Sequence, residues 1–141
     1  MIDFKSKFGR FAKKHIQTEY FIWLTTVDST GTPQPRPVLF IWENDSFLIY
    51  SQLKAHKVTH IRKSPQVALH LNTEDELGEK RTIVLSGQAK IDRKALPANR
   101  NRGYMKKYKS GIAGLGATPE QFAAEYSVAI RITPANLRGW E

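Results

Sequence analysis

Cysteine is absent from the 141 residues, which excludes disulfides, thiolate chemistry and any cysteine-ligated zinc or iron–sulfur centre. Apolar runs are short. None approaches the roughly 18 residues of a membrane-crossing helix, and the N-terminal MIDFKSKFGRFAKKH holds no stretch like a signal peptide. A cytoplasmic protein with no membrane partner is therefore expected. Neither a Walker glycine pattern nor GxGxxG occurs, which argues against an ATP or Rossmann-type dinucleotide site. No carboxylate pair, Ser/His/Asp order or His/Glu metal spacing points to a catalytic machine carried by the protein itself. The four histidines, His15, His56, His60 and His70, are scattered and read as structural or surface residues, and no metal is expected.

Acid is missing from three windows that are dense in base. Lys5, Lys7, Arg10, Lys13 and Lys14 fall in residues 5–14, Lys54, Lys57, Arg62 and Lys63 in 54–63, and Arg100, Arg102, Lys106, Lys107 and Lys109 in 100–109. These hold 14 of the 22 basic residues, so the rest of a chain with net charge +9 carries 8 positive against 13 negative charges. The positive charge is local rather than spread over the surface. A basic nucleic-acid-binding barrel would interleave aromatics with Lys and Arg. Here the aromatics sit in apolar runs away from the basic windows, which disfavours nucleic acid as the partner.

Residues 20–27 (YFIWLTTV) and 35–42 (PRPVLFIW) are rich in aromatic and β-branched side chains, with Asp28-Ser29-Thr30-Gly31 between them, and predict a hairpin. A strand over 47–51 would extend it to a three-stranded meander. The period changes over 54–63, where Val58 and Ile61 share a helical face and Ser64-Pro65 stops the helix. Alternation of Val67, Leu69 and Leu71 predicts a fourth strand, the acidic residues 73–79 a solvated loop, and residues 81–91 a fifth strand. Gly87 inside that strand suggests a bulge or a close approach. A helix over 98–108 with Tyr104, Met105 and Tyr108 on its apolar face is expected to give way to a mobile glycine loop at 111–117. Thr118-Pro119-Glu120-Gln121 carries a capping box with proline at the first helical position, which starts a helix ending near residue 125. A last strand over 126–133 is closed by Pro134. One mainly-β domain over 1–141 follows: a six-stranded antiparallel barrel with short flanking helices, and a basic helix or arm at 1–14.

Pro33, Pro35 and Pro37 occupy alternate positions, so their missing amide hydrogens face one side of the second strand. That side cannot donate to a ladder. It is either an edge guarded against aggregation, or a surface where a flat ligand meets carbonyls on the proline side or the amides of Arg36 and Val38 on the other. After Tyr50-Ser51 the chain enters the basic helix, and a hydroxyl, free helix-start amides and two lysines there suit a phosphate, although most basic helices are simply solvated.

Gly31-Thr32-Pro33-Gln34-Pro35-Arg36-Pro37-Val38, then Phe40 and Trp42, Tyr50-Ser51, Lys57, Ile61-Arg62 and Pro65, resemble the pyridoxamine-5'-phosphate-oxidase-like split β-barrel family, over roughly residues 15–140. Within it the chain is most similar to the flavin/deazaflavin oxidoreductase branch. The resemblance implies a split-barrel homodimer that binds FMN or the deazaflavin coenzyme F-420 and passes a hydride to or from a small organic substrate. On this sequence it implies that the ring lies against the backbone of Arg36, Pro37, Val38 and Leu39. The phosphate would meet Tyr50-Ser51 and Lys57, with Lys54 or Arg62 assisting. Gln88 would approach ring or tail, and Trp140 of the partner subunit would cover the ring, a core position being the other reading for that side chain. Relatives that oxidise pyridoxamine phosphate carry a further C-terminal segment, so that reaction is not the expected one. A flavin- or haem-binding split barrel without turnover is the alternative. An extended basic groove, from 54–63 and the 100–109 helix, slightly favours the longer anionic tail of the deazaflavin.

Overall fold

Asp28 fixes the first turn of the sheet. In the computed structural model, which describes residues 1–75 and 77–141, its carboxylate accepts hydrogen bonds from the Thr30 amide (2.9 Å), the Thr30 hydroxyl (2.7 Å), the Thr32 amide (3.0 Å) and Gln34 Nε2 (3.0 Å). Those donors hold its carboxyl far below the usual carboxylate range. Gly31, at φ +83°, completes the turn. The hairpin that results pairs β1 (Phe21–Val27) with β2 (Pro33–Leu39), from Val27 opposite Pro33 to Phe21 opposite Leu39.

The remaining elements are α1 (Lys7–Thr18), β3 (Ile41–Glu43), β4 (Ser46–Ser51), α2 (His56–Lys63), β5 (Gln66–His70), β6 (Thr82–Ile91), a 3-10 turn at Ala98–Arg100, α3 (Arg102–Gly114), α4 (Pro119–Glu125) and β7 (Val128–Trp140). All strand pairs are antiparallel, in the order β2-β1-β5-β6-β7-β4-β3. The two ends of that order, β2 and β3, are consecutive in the chain and joined through Phe40, so the sheet curls back toward itself as a split barrel. No helix among the described residues is long and apolar enough to cross a membrane.

Seven strands replace the expected six because the run 35–42 breaks. Phe40 is fully buried and leaves the ladder, with its amide donating to Tyr108 Oη at 2.9 Å. The meander therefore divides into two hairpins at opposite ends of the sheet. The last strand also runs past Pro134 to Trp140. Gly87 pairs with Pro134 and Ser86 with Asn136, so Ala135 is an extra residue in a bulge, where the missing proline donor is tolerated. A Cβ on Gly87 would stand 2.2 Å from the Thr133 carbonyl oxygen, so this glycine permits the close approach its position suggested. The 111–117 segment is not the expected loop. Helix α3 continues to Gly114, because Tyr104, Tyr108 and Ile112, four residues apart, all bury on one face and outweigh the roughly 1 kcal/mol helix penalty of each glycine. The capping box forms as read, with Gln121 N donating to Thr118 Oγ1 and Thr118 N to Gln121 Oε1. Glu76, inside the acidic segment expected as a solvated loop, lies outside the described residues.

Two apolar clusters sandwich β4, which is buried on both faces. Phe47 and Ile49 point into the barrel with Ile22, Leu24, Leu69, Leu85 and Ile130, closed by Ala12 and Ile16 of α1 and Val58 and Ile61 of α2. Leu48 and Tyr50 point the other way, to Tyr104, Tyr108, Ile112 and Phe122 of α3 and α4.

Candidate functional site

Strand β2 lies at the free edge of the sheet. Because prolines cannot donate, the amides that bond β1 must be those of Gln34, Arg36 and Val38, in the pairs with Thr26, Leu24 and Ile22. The amides of Arg36 and Val38 are thus committed to β1 and closed to a ligand, which corrects one of the two sequence-level alternatives. The outward edge presents the carbonyls of Pro33, Pro35 and Pro37, and reaches Leu39 before an amide hydrogen appears.

Arg36 shares its face with the buried side of the hairpin. Its Nη1 donates to the hydroxyl of Thr26 at 3.0 Å, and Thr26 Oγ1 lies 2.8 Å from His60 Nδ1 on α2. Thr26 is completely buried. With the guanidinium donating to its oxygen, the Thr26 hydroxyl bridges Arg36 and the His60 ring. Lys57 lies nearly one helical turn before His60. Burial lowers its pKa, and the nearby Arg36 charge lowers it further, while burial alone lowers that of Arg36. Neither cation forms an ion pair among the described residues. Two half-buried positive charges, Arg36 on β2 and Lys57 on α2, therefore lack a counter-anion among the described residues, an arrangement that favours an anionic ligand.

Arg36 and Lys57 come together, and Pro37, Val38 and Leu39 continue along the same edge strand. The other sequence-level candidates have the following surroundings. Ser51 is fully buried and its hydroxyl donates to the Gln52 carbonyl at 3.0 Å. The Tyr50 hydroxyl donates to the Leu96 carbonyl at 2.6 Å, and Tyr50 lines with Arg62 a cavity of about 340 Å³. Lys54 is exposed. Gln88 is exposed in a polar depression of about 560 Å³ beside the bulge, with Gln66, Ser86 and Asn136. Trp140 pairs with Thr82 at the end of β7 and is 66% exposed, so it is no core residue of this chain.

Thr26 and His60 escaped the sequence reading. A signal was present: Ile22, Leu24 and Thr26 alternate on the buried face, and a polar residue in such a position needs a partner. Which partner it finds depends on the packing of α2 against β1. Among the described residues no group of three or more His, Cys, Asp or Glu side chains could hold a metal ion.

Comparison with known proteins agrees with the split barrel. The structure is similar to a conserved hypothetical protein, Rv2991, of Mycobacterium tuberculosis, with a TM-score of 0.74 and 18% identity over 96% of this chain and 84% of the other. It is similar to an F420 reductase, with a TM-score of 0.67 and 21% identity over 89% of this chain and 94% of the other. It is also similar to HutZ, a haem storage protein of Vibrio cholerae, with a TM-score of 0.64 and 15% identity over 92% of each chain. No curated protein matches the sequence. The family model described as pyridoxamine 5'-phosphate oxidase matches residues 9–141, so the chain belongs to that family of split-barrel proteins.

Proposed function

We propose that this protein binds FMN or coenzyme F-420 and acts as an oxidoreductase on a small organic substrate. The observation that carries the reading is the pair Arg36 and Lys57: two half-buried cations with no counter-ion among the described residues, beside an edge strand whose free side offers only carbonyls up to Leu39. A phosphate supplies the missing charge, and a planar ring with N–H donors suits the carbonyls. When bound, such a cofactor supplies the hydride chemistry. The chain's own part is to hold and orient it. Arg36 is steered by Thr26, whose hydroxyl is held in turn by His60 Nδ1. Membership of the family and the likeness to an F420 reductase support this reading.

The proposal includes a homodimer in which the exposed Trp140 of the partner subunit reaches the ring, and sedimentation at several protein concentrations tests it. The haem storage relative supports a second reading, a haem-binding protein without turnover. One set of absorption titrations separates these readings, with FMN, coenzyme F-420 and haem added separately to the purified chain. Saturable binding of FMN or F-420 that is lost in Arg36→Met supports the proposal. Binding of haem alone would transfer the protein to the second reading, and binding of none of the three would remove both.

A further inference from the structure

Three of the large apolar side chains left exposed, Tyr20, Phe21 and Leu115, gather around one cavity of about 530 Å³ between α3 and the corner where β1 starts and β2 ends. Its volume is in the range of roughly 300–1,000 Å³ usual for small-molecule pockets. Its walls are mostly apolar, with Ser110, the hydroxyl-bearing rings of Tyr20 and Tyr108, and one cation, Lys107. The Lys107 ammonium donates to the Phe40 carbonyl at 2.9 Å and stands 4.0 Å from the Phe40 ring centroid and 5.2 Å from that of Tyr108. One of its three protons is thus bonded, and no carboxylate pairs with it among the described residues. Burial pulls its pKa down to about 8, and the Glu19 charge opposes that only in part. An anion beside it would reverse the cost of holding this charge out of water.

The wall behind Lys107 is fixed. Tyr108 Oη accepts the Phe40 amide at 2.9 Å and lies 2.6 Å from the Phe40 carbonyl and 2.7 Å from that of Tyr20, so its own proton always has an acceptor. We infer that this cavity binds a small planar aromatic compound carrying one anionic group, the rings against Phe21, Leu39 and Ile112 and the anion on Lys107. Leu39 is three residues beyond Arg36 on the edge strand, about 10 Å at the usual strand rise. If the cofactor lies along β2, the cavity is where the second substrate sits. That placement rests on the reading above, but binding in the cavity does not.

The test uses the full chain without cofactor and the fluorescent anion 1-anilinonaphthalene-8-sulfonate, so its outcome is independent of whether a flavin binds. Saturable binding at one site is expected. Lys107→Met should weaken it at least tenfold, whereas Lys106→Met, which loses the same charge from an exposed neighbour, should change it less than twofold. Gly111 lies in the wall with open space where a side chain would project, so Gly111→Phe should fold and abolish binding. If Lys107→Met does not fold, Gly111→Phe decides alone. Absence of saturable binding, or full affinity in either folded cavity variant, overturns the inference. So does release of the probe as protein concentration rises, which would mean that a second copy covers the cavity.

Discussion

Replacing Lys57 by Met separates a charge that serves the fold from one that serves a ligand. Methionine keeps an unbranched stem of similar length and removes the charge that Arg36 repels. Stability without cofactor should therefore stay the same or rise slightly, since a half-buried cation without a counter-ion stabilises nothing. With cofactor the sign reverses. At a concentration one hundred times its dissociation constant, a ligand stabilises the native state by about 2.7 kcal/mol, and at roughly 3 °C per kcal/mol for a chain of this length the melting temperature rises by about 8 °C. In the proposed complex Lys57 would contribute one of two charge-assisted contacts to the phosphate, and losing one such bond costs about 1.5–3 kcal/mol, or roughly 10- to 150-fold in affinity. At the same cofactor concentration the variant should gain only about 0.3–1.4 kcal/mol, a rise of about 1–4 °C. Differential scanning fluorimetry with and without FMN, and again with coenzyme F-420, measures both quantities. A folded Lys57→Met chain that keeps the full 8 °C rise would refute the assignment of this cation pair to the phosphate.

Gly87→Ala should cost about 3 kcal/mol in urea unfolding, because the added Cβ would stand 2.2 Å from Thr133 O and 2.7 Å from Pro134 Cα, both backbone atoms that cannot step aside alone; a loss under about 1 kcal/mol would mean that β7 yields more easily than its pairing implies. Tyr108→Phe strands the buried Phe40 amide and should cost about 1–3 kcal/mol, with faster hydrogen exchange at Phe40 as the specific sign. Stability should rise with pH from about 8 toward 10, because Lys107 is already neutral in the folded protein while the unfolded chain still holds its proton. Glu19, Tyr20 and Tyr108 are the titratable groups facing it, and above pH 10 the raised pKa values of Tyr104 and Tyr108 act in the opposite direction. Urea midpoints of the wild type and Lys107→Met at pH 7.5, 8.5 and 9.5 isolate the lysine, and parallel profiles would disprove its contribution.

What could be read from the sequence was whatever neighbours in the chain decide. The capping box at Thr118 and the proline edge at 33–37 depend on residues a few positions apart, the glycine at 87 marks its irregularity by its own missing side chain, and each stands in the structure as read. The misplaced boundaries have distant causes. Phe40 leaves its strand because a tyrosine 68 residues later takes its amide. Helix α3 crosses Gly111 and runs to Gly114 because Ile112 finds the cluster behind β4. The last strand passes Pro134 because Gly87 lets it. At the candidate site, the arginine, the lysine and the strand were legible as residue types. Their steering through Thr26 and His60 was not, since it exists only once α2 packs against β1.

The position of β7 in the sheet governs the order in which this fold can be completed. Strands β2, β1, β5 and β6 can pair among themselves as soon as residue 91 is made, but β4 has no neighbour except β3 until β7 arrives. A chain emerging from the ribosome therefore waits with β6 and the apolar β4 each unpaired on one side, until its thirteen-residue last strand fills the gap between them. Closure depends on contacts about 80 residues apart, between Phe47 and Ile132 or Ser51 and Val128, the long-range pairing that slows folding and leaves intermediates prone to aggregate. Expression level and solubility should consequently be more sensitive to substitutions in β7 than the strand's exposed outer half would suggest.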